Sequence, residues 1–220
     1  MGDPTDRHPE VDAVFFDFGG VILSSPFEAF SAYEERAGLP RDAVRTVNSV
    51  DPDHNAWARF ERDELDVEGF VVAFEAEARA LGFAIDGRAV LGCLEGELRP
   101  EVVEAVGRVH EHFGTALLTN NVVTMSASGM VDRAGPFAEV LRHFDVVVES
   151  SRVGVRKPEP AFYELACRLA DVAPERVVFL DDLGVNLKPA RAMGMRTIKV
   201  IDPHDALVEL GAILGMDLVA

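Results

Sequence analysis

The run Ala13-Val14-Phe15-Phe16-Asp17-Phe18-Gly19-Gly20-Val21-Ile22 decides the fold. Four apolar residues lead into a single acid, and two glycines follow. A run that is apolar throughout, rather than alternating, suits a parallel strand covered on both faces. An acid at the end of such a strand stands at the carboxyl edge, where open α/β sheets hold ligands. Gly19 and Gly20 allow a sharp turn and a close approach of backbone to whatever binds. From this stretch alone Asp17 reads equally as a nucleophile or metal ligand and as a cap for the next turn.

Outward from this run, the remaining strands repeat its character. Thr115-Ala116-Leu117-Leu118 runs into Thr119-Asn120, and Phe144-Asp145-Val146-Val147-Val148 leads by a loop to Lys157-Pro158. Val177-Val178-Phe179-Leu180 runs into Asp181-Asp182, and Thr197 to Ile201 forms a last strand. Helices are predicted between them, from Arg99-Pro100 to about Phe113, from Pro158 to Leu169, from Asn186 to Met193 and from Asp205 to Leu214. Strands alternating with helices imply a parallel sheet, an α/β fold. Residues 25–100 carry no strand signal. Ser25-Pro26-Phe27-Glu28 reads as a capped helix start, and Phe70, Phe74, Ala78 and Leu81 recur at helical steps behind Asp66. Breaks near Gly38, Asp51 and Gly82 divide this region into four or five helices. The expected organisation is a loose tail over 1–10, an α/β core over 11–24 and 101–220, and a helical insert over 25–100.

Composition bounds the partners. A formal charge of −17 over 220 residues leaves no basic face for nucleic acid and disfavours anionic lipid. It does not exclude a small anion, which a local lysine, a metal and backbone N–H groups can hold at close range. Cys93 and Cys167 have no metal-ligand spacing and read as reduced thiols. The first eleven residues are polar, with the pattern of neither a leader nor a membrane span, so the expected location is cytoplasmic.

Parallel strands put Asp17, Thr119, Asp181 and Asp182 on one sheet edge, with Lys157 at the end of a loop beside it. Three carboxylates that close need a counter-cation, and an all-oxygen set suits Mg²⁺. Thr119 offers a hydroxyl to phosphate oxygens, and the segment after it offers backbone N–H groups. Lys157 is one of only three lysines in a chain that otherwise uses arginine, which marks a point cation wanted at that place. Each residue alone reads as a strand-end cap, a turn or a surface charge. Together, in this order, they read as a site.

Asp17 with Val21, Leu118-Thr119-Asn120, Lys157-Pro158 and Leu180-Asp181-Asp182 resemble the four motifs of the haloacid dehalogenase-like superfamily, in its order. The helical insert resembles that superfamily's type 1 cap. Arg156 to Pro160 and Phe179 to Arg191 are similar to the phosphatase domain of soluble epoxide hydrolases. They are still more similar to the domain of this superfamily fused to certain acyl-CoA dehydrogenases. The resemblance spans residues 11–216 and implies a Rossmann-like parallel sheet under a helical cap. It implies a hydrolase of a small phosphorylated metabolite, acting as monomer or homodimer. In it Asp17 attacks phosphorus to give an aspartyl-phosphate that water hydrolyses. Mg²⁺ is held by Asp17, the main-chain carbonyl of Gly19 and Asp182, with Asp181 and Asn186 behind. Thr119, Asn120 and Lys157 orient and neutralise the phosphoryl group.

One position departs from the resemblance. Gly19 stands where such phosphatases carry a second Asp as general acid/base, a function worth roughly 10²–10⁴-fold. His54, Glu95 and Glu97 of the cap are candidate replacements, though each reads also as a solvated residue. Otherwise the substrate has a good leaving group, or the domain is slow or non-catalytic. A 2-haloacid dehalogenase is the competing enzyme, using the same Asp on carbon without metal. Gly19, in place of that family's aromatic residue, and the Asp181-Asp182 pair speak against it. A receiver-type signalling domain uses similar groups but places its acidic pair first in the chain.

Overall fold

The computed structural model describes residues 11–120 and 137–219. The expected tail and the N–H groups expected after Asn120 lie outside those residues. Strands β1 (Ala13–Phe16), β2 (Gly114–Thr119), β3 (Val146–Glu149), β4 (Val177–Asp181) and β5 (Arg196–Lys199) form one parallel sheet in the order β3-β2-β1-β4-β5. Helices α1 (Pro26–Ala37), α2 (Ala43–Ser49), α3 (Ala56–Glu61), α4 (Val67–Ala80) and α5 (Gly87–Gly92) make up the insert. The core carries α6 (Pro100–His110), α7 (Phe137–Leu141), α8 (Ser150–Val153), α9 (Pro160–Leu169), α10 (Gly184–Ala192) and α11 (Pro203–Leu214).

Alternation along the strands explains their unbroken apolar character. Val14, Phe16, Leu117 and Leu180 face one side, against Val102, Val106 and Val109 of α6 and Leu207 and Leu210 of α11. Phe15, Ala116, Leu118 and Phe179 face the other, against Phe162, Tyr163 and Ala166 of α9 and Leu187 of α10. With both faces covered, no position on β1 can be polar until the strand ends. Phe16 is level with Leu117 on one side and Leu180 on the other. The register therefore puts Asp17 beside the end of β4, where the Asp17 N–H donates to the Leu180 carbonyl at 2.9 Å.

The insert leaves and re-enters the core through one antiparallel bridge, Leu23 to Leu98, which no strand pattern announces. Ser24 donates its N–H to Glu97 at 2.8 Å, and Arg99 donates to Ile22 at 2.9 Å. The five helices between these points share an apolar cluster of their own, in which Phe60 and Phe70 stack at 4.6 Å and Phe70 and Phe74 at 5.2 Å. Asp66 caps α4 as expected, accepting from Gly69 N at 2.7 Å. Glu34 is buried but satisfied: its carboxylate accepts from the N–H groups of Asp42 and Val44 at 2.8 and 2.9 Å, which ties α1 to the start of α2.

Several boundaries differ from the sequence reading. β3 starts at Val146, because Asp145 turns outward to accept from Thr115 N at 2.9 Å. α9 starts at Pro160, leaving Lys157-Pro158 in the preceding loop. The helical pattern over α4 ends before Leu81, which lies exposed as the chain turns through Gly82. α7 and α8, of five and four residues, are too short for periodicity to reveal.

Phe70 is fully buried between two rings and in edge contact with Trp57 at 5.4 Å. Phe70→Ala is expected to lower stability by about 3–5 kcal/mol in urea denaturation, and the loss of the only tryptophan's packed environment should be visible in its fluorescence.

Candidate active site

The site is built around a buried ammonium. Lys157, at 1% exposure, reaches under the sheet edge. Its Nζ lies 2.7 Å from Asp17 Oδ1 and 2.8 Å from Asp181 Oδ2. Asp181 is fully engaged: Leu183 N donates to it at 2.8 Å, and Asn186 Nδ2 lies 3.0 and 3.1 Å from its two oxygens. Asn186 is itself held by Tyr163, whose hydroxyl donates to the Asn186 carbonyl at 2.6 Å. Asp181 thus orients Lys157 and has little capacity left for a ligand. Asp17 Oδ1 also accepts from Phe18 N at 2.6 Å. The turn cap expected of Asp17 is present, and the same side chain also pairs with the buried Lys157.

Asp182 is different. It lines the cavity, and no side-chain partner competes for its carboxylate among the hydrogen bonds of the described residues. One oxygen from each of Asp17, Asp181 and Asp182 lies within 4.8 Å of the others. Burial lifts Asp17 well above the ordinary carboxylate range, outweighing Lys157, and the charges of Asp181 and Asp182 add to it. Burial and the charge of Asp181 push Asp182 up to about 6. For Lys157, burial opposes the charge, but Asp17 and Asp181 outweigh it and hold the ammonium protonated. One lysine thus serves three acids. The donor set of hard oxygens with negative charge in excess fits a divalent cation such as Mg²⁺.

The two glycines after Asp17 turn out to be unlike. Gly20 has φ +78°, and a Cβ there would lie 2.2 Å from Asp182 Oδ2. Gly20 is what lets Asp182 come against the turn. Gly19 has φ −70° and ψ 130°, open to any residue, and a Cβ there meets nothing within 4 Å. The expectation that both glycines serve the turn holds for Gly20 alone.

Above the acids lies a cavity of about 440 Å³. Asp17, Gly19, Thr119, Asn120, Lys157, Asp182 and Asn186 line its floor. The insert supplies its walls, with Phe27, Phe30, Trp57 and Leu94 as their apolar part and Arg45, Asn48 and Ser49 among the polar residues beside them. The residues expected to stand in for a proton donor are elsewhere. His54 is exposed and pairs with Asp51 at 2.9 Å, and Glu95 and Glu97 are exposed. None of the three lines the cavity. The sequence reading missed Glu61 and Arg156, which pair across the boundary between insert and core and do line it. Arg156 begins the matched string Arg156 to Pro160 but the resemblance gives it no role, and Glu61 carries no motif signal. Their meeting depends on contacts between residues 95 positions apart.

The chain matches the family model of the haloacid dehalogenase-like hydrolases over residues 11–194. It belongs to that family. It is 32% identical to acyl-CoA dehydrogenase family member 10 of Mus musculus, over 94% of this chain and 19% of that protein. It is 32% identical to bifunctional epoxide hydrolase 2 of Sus scrofa, over 94% of this chain and 39% of that protein. The chain therefore spans well under half the length of either relative. An enzyme of the haloacid dehalogenase-like family from Bacteroides thetaiotaomicron, solved with magnesium and inorganic phosphate, shares the fold with a TM-score of 0.60 at 17% identity, over 86% of this chain and 93% of that one. Dehalogenase structures share the fold as well. The chain is thus a hydrolase of the α/β type read from its strand ends.

Gly19→Ala is expected to leave stability within about 0.5 kcal/mol of the parent. Gly20→Ala should destabilise by at least about 1–2 kcal/mol from its backbone alone, with displacement of Asp182 on top. Parallel urea titrations of the two variants check the contrast.

Proposed function

We propose that the chain is a Mg²⁺-dependent phosphatase of a small phosphorylated metabolite, acting through an aspartyl-phosphate on Asp17. The observation that carries this reading is the acidic cluster itself: three carboxylates within 4.8 Å, served by one buried lysine, on the floor of a cavity. A 2-haloacid dehalogenase that works without metal has no use for Asp182 so placed. The proposed division is a core over 11–24 and 101–220, with residues 25–100 as a cap whose apolar wall favours an ester with an apolar organic part. Asp17, Asp182 and the Gly19 carbonyl would hold the ion, which supplies positive charge against the phosphoryl oxygens. Asp181 and Asn186 keep their present task of fixing Lys157. Two free cysteines support a reducing, cytoplasmic location. Among the described residues no helix is long and apolar enough to cross a membrane.

The chain's own groups then act as follows. A carboxylate oxygen of Asp17 forms a bond to phosphorus as the bond to the ester oxygen breaks. Lys157 and Thr119 neutralise and orient the phosphoryl oxygens while charge redistributes over them. The departing alkoxide takes its proton from water, because Gly19 offers none. Water then attacks phosphorus, releases inorganic phosphate and restores Asp17.

With Mg²⁺ the protein is expected to release phosphate from p-nitrophenyl phosphate and from a panel of alkyl phosphates, and EDTA or Asp17→Asn should abolish the release. Gly19→Asp should raise kcat for alkyl phosphates by roughly 10²-fold, at the low end of what a general acid contributes. Its effect on p-nitrophenyl phosphate should be smaller, since that leaving group needs little protonation. Chloride release from 2-chloropropionate without metal, and no phosphate release from any ester, would overturn the reading in favour of a dehalogenase.

A further inference from the structure

We propose that Glu61, on the insert, is a positioning residue that couples the substrate-facing wall to the main chain of Lys157. The structural coupling stands on geometry alone; its kinetic consequence rests on the phosphatase reading above.

Trp57 and Glu61 sit one turn apart on α3, and Trp57 Nε1 donates to Glu61 Oε1 at 3.0 Å. The Trp57 ring lines the cavity and packs edge-on against Phe70. The other oxygen of Glu61 faces the core. It accepts from Asn120 Nδ2 at 3.1 Å and pairs with Arg156. Asn120 in turn grips the Lys157 main chain from both sides. Its Nδ2 donates to the Lys157 carbonyl at 2.9 Å, and its Oδ1 accepts from the Lys157 N–H at 2.8 Å. The Lys157 side chain ends on Asp17. A continuous line of hydrogen bonds thus runs from the cavity wall to the nucleophile: Trp57, Glu61, Asn120, Lys157, Asp17.

Glu61 is the one link of this line that the insert contributes to the core through a side chain. It is buried, at 6% exposure. A buried carboxylate is unfavourable unless it is paired and bonded, and every bond it makes is to a group next to the site. The boundary has other contacts that do not use the Glu61 carboxylate. Ser150 Oγ donates to the Glu61 carbonyl at 2.6 Å, Arg156 Nη1 to the Pro52 carbonyl at 3.0 Å, and Arg62 meets Glu159 at 3.5 Å. Those contacts hold the insert in place, and the Glu61 carboxylate sets what its placement does. Without that carboxylate Asn120 loses its partner on the insert, and the amide that grips the Lys157 main chain is no longer fixed from outside.

Two measurements on the full chain test this. The first is amide hydrogen exchange without any ligand. Glu61→Ala should speed exchange of the Lys157 N–H at least about tenfold while the amides of β1 and β4 keep their protection. Arg62→Ala, which cuts a boundary contact off the line, should change the Lys157 amide less than about twofold. The second is kinetic. Glu61→Ala should lower kcat by about ten- to a hundredfold with KM within about threefold, the signature of misplaced catalytic groups. Combined with Asn120→Ala it should cost no more than the worse single variant, because both act through one line. Glu61→Gln keeps the volume without the charge and serves both measurements if the alanine variant does not fold. An unchanged Lys157 amide, or losses that multiply in the double variant, overturns the coupling. A faster Lys157 amide in a protein that hydrolyses no phosphate ester upholds the coupling and removes the phosphatase reading instead.

Discussion

An ammonium group cannot be buried without anions around it, and that constraint organises this molecule. Lys157 is sealed at 1% exposure and needs both Asp17 and Asp181 to stay charged there. The two acids end adjacent strands, so β1 and β4 must pair in the register that levels Phe16 with Leu180. Asp181 must be aimed, which fixes Asn186 at the start of α10 and Tyr163 on α9. The apolar strands supply the burial that makes the pairing strong, and the pairing in turn closes the carboxyl edge of the sheet. Sheet register, helix placement and site geometry are one problem solved once.

The same constraint explains why so much was legible in the chain. A parallel strand buried on both faces is apolar to its last residue, so the acids at Asp17 and Asp181 stand out against Phe16 and Leu180. Thr119 stands out for the same reason and Lys157 because the chain otherwise uses arginine, and the order of the four points to the family. The insert was legible as helical because α1 and α4 are long enough to show a period. Its relation to the core was not. Leu23 and Leu98 form a single bridge, too short to pattern, and Glu61 reads as one acid among many on a short helix. His54, Glu95 and Glu97 carry the right chemistry but point to solvent, and side-chain direction at a loop or short helix cannot be read from spacing. Burial, rather than chemical type, separates Glu61 from them.

Gly19 and Gly20 show how two identical residues can answer to different forces. Gly20 is fixed by sterics: its φ is positive, and Asp182 occupies the space a side chain would need. Gly19 is under no such demand, with an extended backbone and open space where a side chain would go. Its lack of a side chain is therefore a chemical fact about the cavity rather than a cost of the turn. Gly19 lines the same cavity as Asp17, Asp182 and the aromatic side chains of the insert. In the proposed reaction that space admits water or substrate where a carboxyl group would otherwise stand. Proton transfer to the leaving group then depends on what the cavity admits, and the insert that forms the cavity wall becomes part of the chemistry. The buried contact through Glu61 gives that dependence a physical route, because the element that shapes the space also holds Asn120 against Lys157.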